Sequence, residues 1–175
     1  TRLVGLGLSE VEASILLEQI GRKVNVPMTS STGRVLDAVA SVLGVCQTRT
    51  YDGEPAMKLE SAALGGEDVL KLDPALNGEE IETTSMVREV FSSLGRLGVR
   101  DLAYSAQSYM ARSLAQSAAT MANELGLKTI GFTGGVACNE KIAHILRATL
   151  ESEGFRLLVH KSVPPGDGGL SFGQA

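Results

Sequence analysis

The sequence predicts a helix-rich α/β protein, and two observations lead to this class. The stretch Thr129–Thr133 is β-branched or apolar, the run after Asn139 has helical apolar spacing, and Phe155–Val159 is apolar again. A strand–helix–strand unit of this size predicts two parallel strands joined by a right-handed crossover. Most earlier segments show helical spacing. We therefore expect a helical part over residues 1–126 and a parallel α/β unit over residues 127–175.

The composition excludes several classes of protein. Hydrophobic residues make up 43% of the chain, yet no run is long enough to span a bilayer and no secretory signal opens the sequence. The net charge of −4 argues against binding to a nucleic-acid backbone. Cys46 and Cys138 form neither a disulfide framework nor a metal-ligand spacing, which favours a reducing cytoplasm. Because the chain starts at Thr1 without Met and stops in a helix-like segment, we expect it to be part of a longer protein.

The first two helices are predicted by their N-terminal residues. Ser9 and the glutamate three positions later match a capping box that opens a helix ending near Gly21. Residues 29–44 form the second helix, which either Ser30 or Ser31 can cap.

The second helix carries a polar stripe opposite its apolar face. Ser30, Arg34, Asp37 and Ser41 recur at helical spacing, so they share one side. The stripe is either a solvated face with an ordinary Arg34–Asp37 pair or a face that lines a cleft. The spacing of these residues is compatible with both alternatives.

Four further elements lead to the α/β unit. Pro55 suits the first position of a helix that ends at Leu64. Val69–Leu72 is a candidate short strand. Thr84–Ser85 is expected to cap the next helix, and Asp101 a long one that runs to residue 125.

Two glycine-rich loops follow the carboxyl ends of the predicted parallel strands, Gly134–Gly135 and Pro164–Gly169. Ligands of open α/β sheets bind at that edge, where glycine admits close backbone approach and a helix N-terminus offers free N–H groups to anions. We therefore expect both loops to face one ligand. Asp167 can hold a metal or a ribose there, or can form only an Asx turn. The first loop alone is weak evidence for a ligand site, because many turns need glycine for steric reasons.

Four segments occur together in order: TSSTGRVLDAVASVLG, YDGEPAMKLE, TGGVACN and VPPGDGGLSFGQA. With them the chain resembles the C-terminal part of the HypF carbamoyltransferases, which mature nickel–iron hydrogenases. The resemblance covers nearly the whole chain. It implies the second half of an actin-like ATPase (ASKHA) fold, in which two ribonuclease-H-like halves clasp a nucleotide. A more distant resemblance is to TsaD, which transfers threonylcarbamoyl to tRNA.

The resemblance also implies a reaction. In HypF, carbamoyl phosphate and ATP yield carbamoyl adenylate in a YrdC-like domain, and the Kae-type domain passes the carbamoyl group to the C-terminal cysteine of HypE. This chain looks like the second half of that Kae-type domain. Two alternatives are a TsaD-like threonylcarbamoyl transferase and a non-catalytic module that docks a maturation partner.

Six positions match residues that bind the nucleotide in the family: Asp37, Gly53, Glu60, Gly134, Gly135 and Asn139. Among these, Asp37 resembles the acid that contacts the ribose hydroxyls. Asp167 resembles an aspartate ligand of the family's iron or zinc. The family's paired-histidine motif, which supplies the other metal ligands, is absent from this sequence, and no residue is assigned to the transfer step. We therefore do not expect the chain to catalyse alone.

Overall fold

A computed structural model of the protein describes residues 8–175, so Thr1 lies outside it. Its α-helices are α1 Glu10–Arg22, α2 Thr32–Val42, α3 Glu54–Ala62, α4 Thr84–Ser92, α5 Val99–Glu124, α6 Glu140–Ser152 and α7 Leu170–Gln174. Its strands are β1 Leu76–Asn77, β2 Glu80–Ile81, β3 Thr129–Phe132 and β4 Arg156–Val159. Short 3₁₀ helices cover Gly135–Cys138 and Asp167–Gly169. The helix-rich α/β class is confirmed.

The predicted caps of α1 and α2 are confirmed. Ser9 and Glu12 form a reciprocal capping box at α1. At α2, Ser31 rather than Ser30 is the cap, and its side chain accepts a hydrogen bond from the Arg34 N–H at 3.4 Å.

The predicted strand Val69–Leu72 is wrong. Ser105 of α5 accepts hydrogen bonds from the N–H groups of Val69 and Leu70 at 3.0 and 3.2 Å. Arg112 of α5 donates to the Leu72 carbonyl at 2.8 Å. The segment is therefore an irregular strap, residues 66–75, in which Lys71 has φ 47° and part of the backbone bonds to helix side chains instead of to another strand.

The expected caps of α4 and α5 are also wrong. Thr84 and Ser85 lie inside α4, and the Glu82 carboxylate accepts from their N–H groups at 2.8 and 2.9 Å. Asp101 lies in the first turn of α5, where its carboxylate accepts from the Glu67 N–H at 3.1 Å. At α4 a carboxylate before the helix therefore satisfies the backbone donors, whereas Asp101 satisfies a donor of the preceding segment and none of α5.

The predicted parallel pair is confirmed. Strands β3 and β4 align from Thr129 opposite Arg156 to Phe132 opposite Val159, and α6 connects them. A two-residue antiparallel hairpin, β1–β2, interrupts the part of the chain predicted to be helical.

The core is built around α5, which packs against α2, α3, α4 and α6. The small residues of α5 allow α6 to approach it closely. The largest fully buried apolar side chains come from five helices: Leu36, Leu59, Met86, Tyr109, Ile142 and Leu150. Between residues 8 and 175, no helix is long and apolar enough to cross a membrane.

Candidate functional site

The two glycine loops meet at the carboxyl edge of the β3–β4 pair. The Gly134 N–H donates to the Pro165 carbonyl at 2.8 Å. The Thr133 hydroxyl donates to the same carbonyl at 3.2 Å and lies 2.9 Å from His160 Nε2. The adjacency that the sequence predicted is therefore present, and Thr133 and His160 strengthen it.

The first loop requires glycine at its first position. Gly134 has φ 91° and ψ 174°, a region of the backbone map that essentially only glycine occupies. Gly135 then begins the 3₁₀ helix that leads to Asn139. This 3₁₀ helix contacts α2, which carries Asp37. The loop thus turns sharply and directs the chain into α6.

The side chain of Asn139 is buried and already bonded. Its Oδ1 accepts from the Ile142 N–H at 2.9 Å, so it is the N-cap of α6. Its Nδ2 donates to Oε1 of Gln107 at 2.9 Å. Asn139 lies at the start of α6, as predicted. Its side chain fixes the end of the first loop by bonding to α6 and α5.

Gln107 is a site residue that the sequence analysis missed. It is fully buried, and its Nε2 donates to the carbonyls of Leu59 and Ala103 at 3.3 and 3.1 Å. The only sequence signal was a glutamine in a segment rich in small and apolar residues. Such a signal does not reveal the partners.

Glu60 lies at the N-terminus of α6. Its Oε1 accepts from the Glu140 N–H at 2.7 Å, where the helix dipole favours a carboxylate. Gly53 precedes α3 with φ 82°, a left-handed conformation that favours glycine. Of these two predicted nucleotide-binding positions, Gly53 is therefore the N-cap of α3 and Glu60 lies near the end of that helix.

A cavity of about 490 Å³ opens between α3 and α6. Glu60 and Leu64 line its α3 side. Lys141, His144 and Arg147 line its α6 side. Glu140, at the start of α6, lines the cavity as well, so acidic side chains from both helices lie beside the basic side chains of α6.

Asp37 forms the predicted pair with Arg34, whose Nη2 lies 3.0 Å from Asp37 Oδ2. Its other oxygen, Oδ1, is buried and has no hydrogen-bond partner among the described residues. Arg34 also lies 3.6 Å from Asp52, the residue before Gly53. A buried carboxylate oxygen without a partner is costly unless a ligand or water satisfies it. This favours the cleft-facing interpretation of the polar stripe.

Asp167 is exposed at the start of its 3₁₀ helix, two residues after the Pro165 carbonyl that joins the loops. Among residues 8–175, no group of three or more His, Cys, Asp or Glu side chains could hold a metal ion. Zinc sites use at least three protein ligands. The described residues therefore do not form a metal site by themselves, and Asp167 can supply a single ligand.

These observations define a helix-rich α/β domain with two glycine loops at one sheet edge. Residues 5–174 match the family described as "Carbamoyltransferase, Kae1-like Domain, second subdomain". The chain belongs to this family. It is 39% identical over 167 residues to the probable carbamoyltransferase HypF of Methanocaldococcus jannaschii, a match that covers 95% of this chain and 22% of the relative.

Two solved structures agree in fold. The crystal structure of T. kodakarensis HypF matches with a TM-score of 0.86 and 37% identity, covering 99% of this chain and 23% of that one. A full-length HypF in its phosphate- and nucleotide-bound form matches with a TM-score of 0.86 and 27% identity. This match covers 97% of this chain and 23% of the HypF chain. The predicted actin-like half is thereby confirmed. The chain spans less than a quarter of the length of these relatives.

A second group of relatives carries the alternative activity. The tRNA N6-adenosine threonylcarbamoyltransferase of Thermococcus gammatolerans is 28% identical over 168 residues, covering 94% of this chain and 49% of the relative. Its identity is lower than that of the M. jannaschii HypF over a stretch of nearly the same length.

Proposed function

We propose that this chain is part of an ATP-dependent carbamoyltransferase that matures nickel–iron hydrogenases. The whole enzyme makes carbamoyl adenylate from carbamoyl phosphate and ATP, then transfers the carbamoyl group to the C-terminal cysteine of a HypE-like protein in the cytoplasm. The observation that carries the proposal is the junction of the two glycine loops through Gly134 and Pro165, in a chain of the Kae1-like family. The full-length HypF relative that was solved in a phosphate- and nucleotide-bound form supports nucleotide binding by the whole protein.

The nucleotide is proposed to lie across the first loop. The Gly134 N–H is used by Pro165, so the proposed phosphate donors are the next backbone N–H groups, at Gly135 and Val136. Asp37 accepts from the ribose hydroxyls through its unpartnered oxygen. The base enters the cavity between α3 and α6, beside Glu60.

The test of this placement is the Asp37→Ala variant in a full-length HypF that carries this sequence. Loss of charge-assisted hydrogen bonds costs roughly 1.5–3 kcal/mol, so nucleotide affinity is expected to fall about ten- to a hundredfold. Isothermal titration with the ATP analogue AMP-PNP measures it. Asp73→Ala, which removes an exposed aspartate, is the control and is expected to bind normally. Unchanged affinity in Asp37→Ala would place the polar stripe in solvent.

Asp167 is proposed as the one ligand that this chain gives to an iron or zinc ion. The remaining ligands would come from outside the described residues. In the full-length protein, Asp167→Ala is expected to lose both the metal and transfer to the thiol, while carbamoyl adenylate synthesis continues. Metal analysis by mass spectrometry decides the assignment, again with Asp73→Ala as control. Full metal occupancy together with normal transfer would refute it.

A gene deletion distinguishes hydrogenase maturation from the alternative function, threonylcarbamoyl transfer to tRNA. The higher identity to a HypF relative, 39% against 28%, favours hydrogenase maturation. Deletion of the gene is expected to abolish hydrogenase activity and leave tRNA threonylcarbamoylation intact. The opposite result would establish the TsaD-like function. A non-catalytic docking module would lack a paired-histidine segment followed by a DGTG-like loop upstream of this sequence in the same gene.

A further inference from the structure

The amide of Gln107 lies where α3, α5 and α6 meet. It is 0% exposed, and burial of an amide is costly unless its polar atoms are bonded. Here both ends are bonded: Nε2 donates to Leu59 O and Ala103 O, and Oε1 accepts from Asn139 Nδ2. One side chain of α5 therefore connects the backbone of α3 to the N-cap of α6.

This network has a fixed direction. Asn139 Oδ1 accepts from the Ile142 N–H, so its Nδ2 must face Gln107. Rotation of the Gln107 amide by half a turn would set its oxygen against two carbonyls and its NH₂ against the NH₂ of Asn139. Buried networks in which every group is bonded rigidify a single arrangement. Gln107 therefore selects one position of α3 relative to α6.

The same two helices are connected a second time, one residue further along each. Leu59 and Asn139 are bridged by Gln107, whereas the next residues, Glu60 and Glu140, bond directly at 2.7 Å. The direct bond is solvent-accessible, and the bridge through Gln107 is buried. Glu60 and Glu140 line the 490 Å³ cavity between α3 and α6, and the bridge joins the residues that precede them on each side. The bridge is thus the solvent-protected connection that sets the separation of the walls.

We infer that Gln107 is a positioning residue for nucleotide binding. It does not line the cavity, but it holds the α3 wall and the α6 N-terminus at the separation that accepts the base. The inference rests on the proposed nucleotide site and adds to it a residue that touches no ligand.

The first test is Gln107→Leu in a full-length HypF that carries this sequence. The probe is AMP-PNP, and the quantity is the affinity of the binding event that Asp37→Ala weakens. We expect its Kd to rise about ten- to a hundredfold, since displacement of binding groups by about 1 Å has effects of that size. The matched control is Ser113→Ala, because Ser113 is equally buried on α5 and its Oγ has no partner among the described residues. This control is expected to keep the wild-type Kd. An unchanged Kd in folded Gln107→Leu overturns the inference.

A second variant serves if Gln107→Leu does not fold. Gln107→Glu has the same shape, and its protonated carboxyl can donate to a carbonyl and accept from Asn139, as the amide does. The ionised form has no donor for Leu59 O or Ala103 O. We expect Gln107→Glu to bind AMP-PNP more weakly at pH 8 than at pH 6, beyond any change in the wild type. Equal pH responses overturn the inference.

The two proposals fail in different ways. If Asp37→Ala leaves every AMP-PNP binding event unchanged, the nucleotide site itself is misplaced. If Asp37→Ala weakens one event and Gln107→Leu does not, only the positioning role of Gln107 is wrong.

Discussion

Glu54 shows how a single side chain can fix the turn before α3. It is buried, and its carboxylate lies 2.7 Å from Lys58 Nζ and accepts from the Thr50 N–H and hydroxyl at 2.5 and 3.0 Å. The hydrogen bond from Lys58, followed by that from the Thr50 backbone, lowers the pKa of Glu54 from 4.5 to about 2. This turn contains Gly53, one of the predicted nucleotide-binding positions, so the same contacts fix the backbone beside it.

The lowered pKa predicts a pH-dependent contribution to stability. Because the folded pKa is about 2 and the ordinary value is 4.5, the contribution is complete above about pH 4.5 and is lost as the pH falls toward 2. Glu54→Gln is therefore expected to unfold at lower urea concentration than wild type at pH 7, with the difference shrinking at pH 3. Urea titrations followed by circular dichroism measure both midpoints. The control is Glu79→Gln, because Glu79 is an exposed glutamate in the hairpin turn. This variant should change neither the midpoint at pH 7 nor that at pH 3.

Some residues that act within their own turn were predictable, although the caps of α4 and α5 were not, and residues with distant partners were missed. Asn139 caps the helix that starts beside it, and Gly134 adopts a backbone conformation that favours glycine. The local sequence was therefore enough to predict a helix start and a turn at these positions. Gln107 bonds to residues 48 and 32 positions away. No local pattern encodes such a partner. The role of Asp37 came from the resemblance, because a polar helix face alone fits solvent equally well.

At the scale of elements, the strap of residues 66–75 shows why a short apolar run was mistaken for a strand. Its backbone donors are satisfied by Ser105 and Asp101 of α5, so it needs no neighbouring strand. Arg112 adds an ion pair with Asp68 at 2.7 Å and the bond to Leu72 O. Three apolar residues among the four of Val69–Leu72 suggested a strand, but the backbone conformation and hydrogen-bond partners of so short a segment depend on tertiary packing.

The strap predicts a local effect of Arg112→Met. Removing partly buried hydrogen bonds to a charged group costs roughly 1.5–3 kcal/mol, and this loss should fall on the strap and not on the whole fold. We expect faster hydrogen exchange at Val69 and Leu70, with little change in α6. Arg22→Met is the matched control, since its ion pair with Glu18 is highly exposed and contributes at most about 1 kcal/mol. Uniformly faster exchange across both regions would contradict a local role.

At the scale of the whole molecule, the helices differ in how far they belong to the core. Helices α2 to α6 surround a continuous buried cluster, whereas α1 buries only Ala13. The apolar residues of α1, which correctly predicted a helix, are largely exposed: Val11, Ile15, Leu16, Leu17 and Ile20. Periodicity thus predicts that a helix forms, but not whether its apolar face has a partner within the same chain.

This difference predicts unequal costs for the same substitution at two isoleucines. Ile142 of α6 is 0% exposed in the core, and Ile15 of α1 is 50% exposed. Truncation of a buried isoleucine to alanine removes apolar contacts and leaves a cavity, at a cost of about 2–5 kcal/mol. An exposed position away from such contacts changes stability by within about 0.5 kcal/mol, and alanine has the higher helix propensity. Urea unfolding of this chain should therefore show a large drop for Ile142→Ala and nearly none for Ile15→Ala. Equal losses at the two positions would mean that α1 belongs to the core of the chain and that its apolar face is covered in solution.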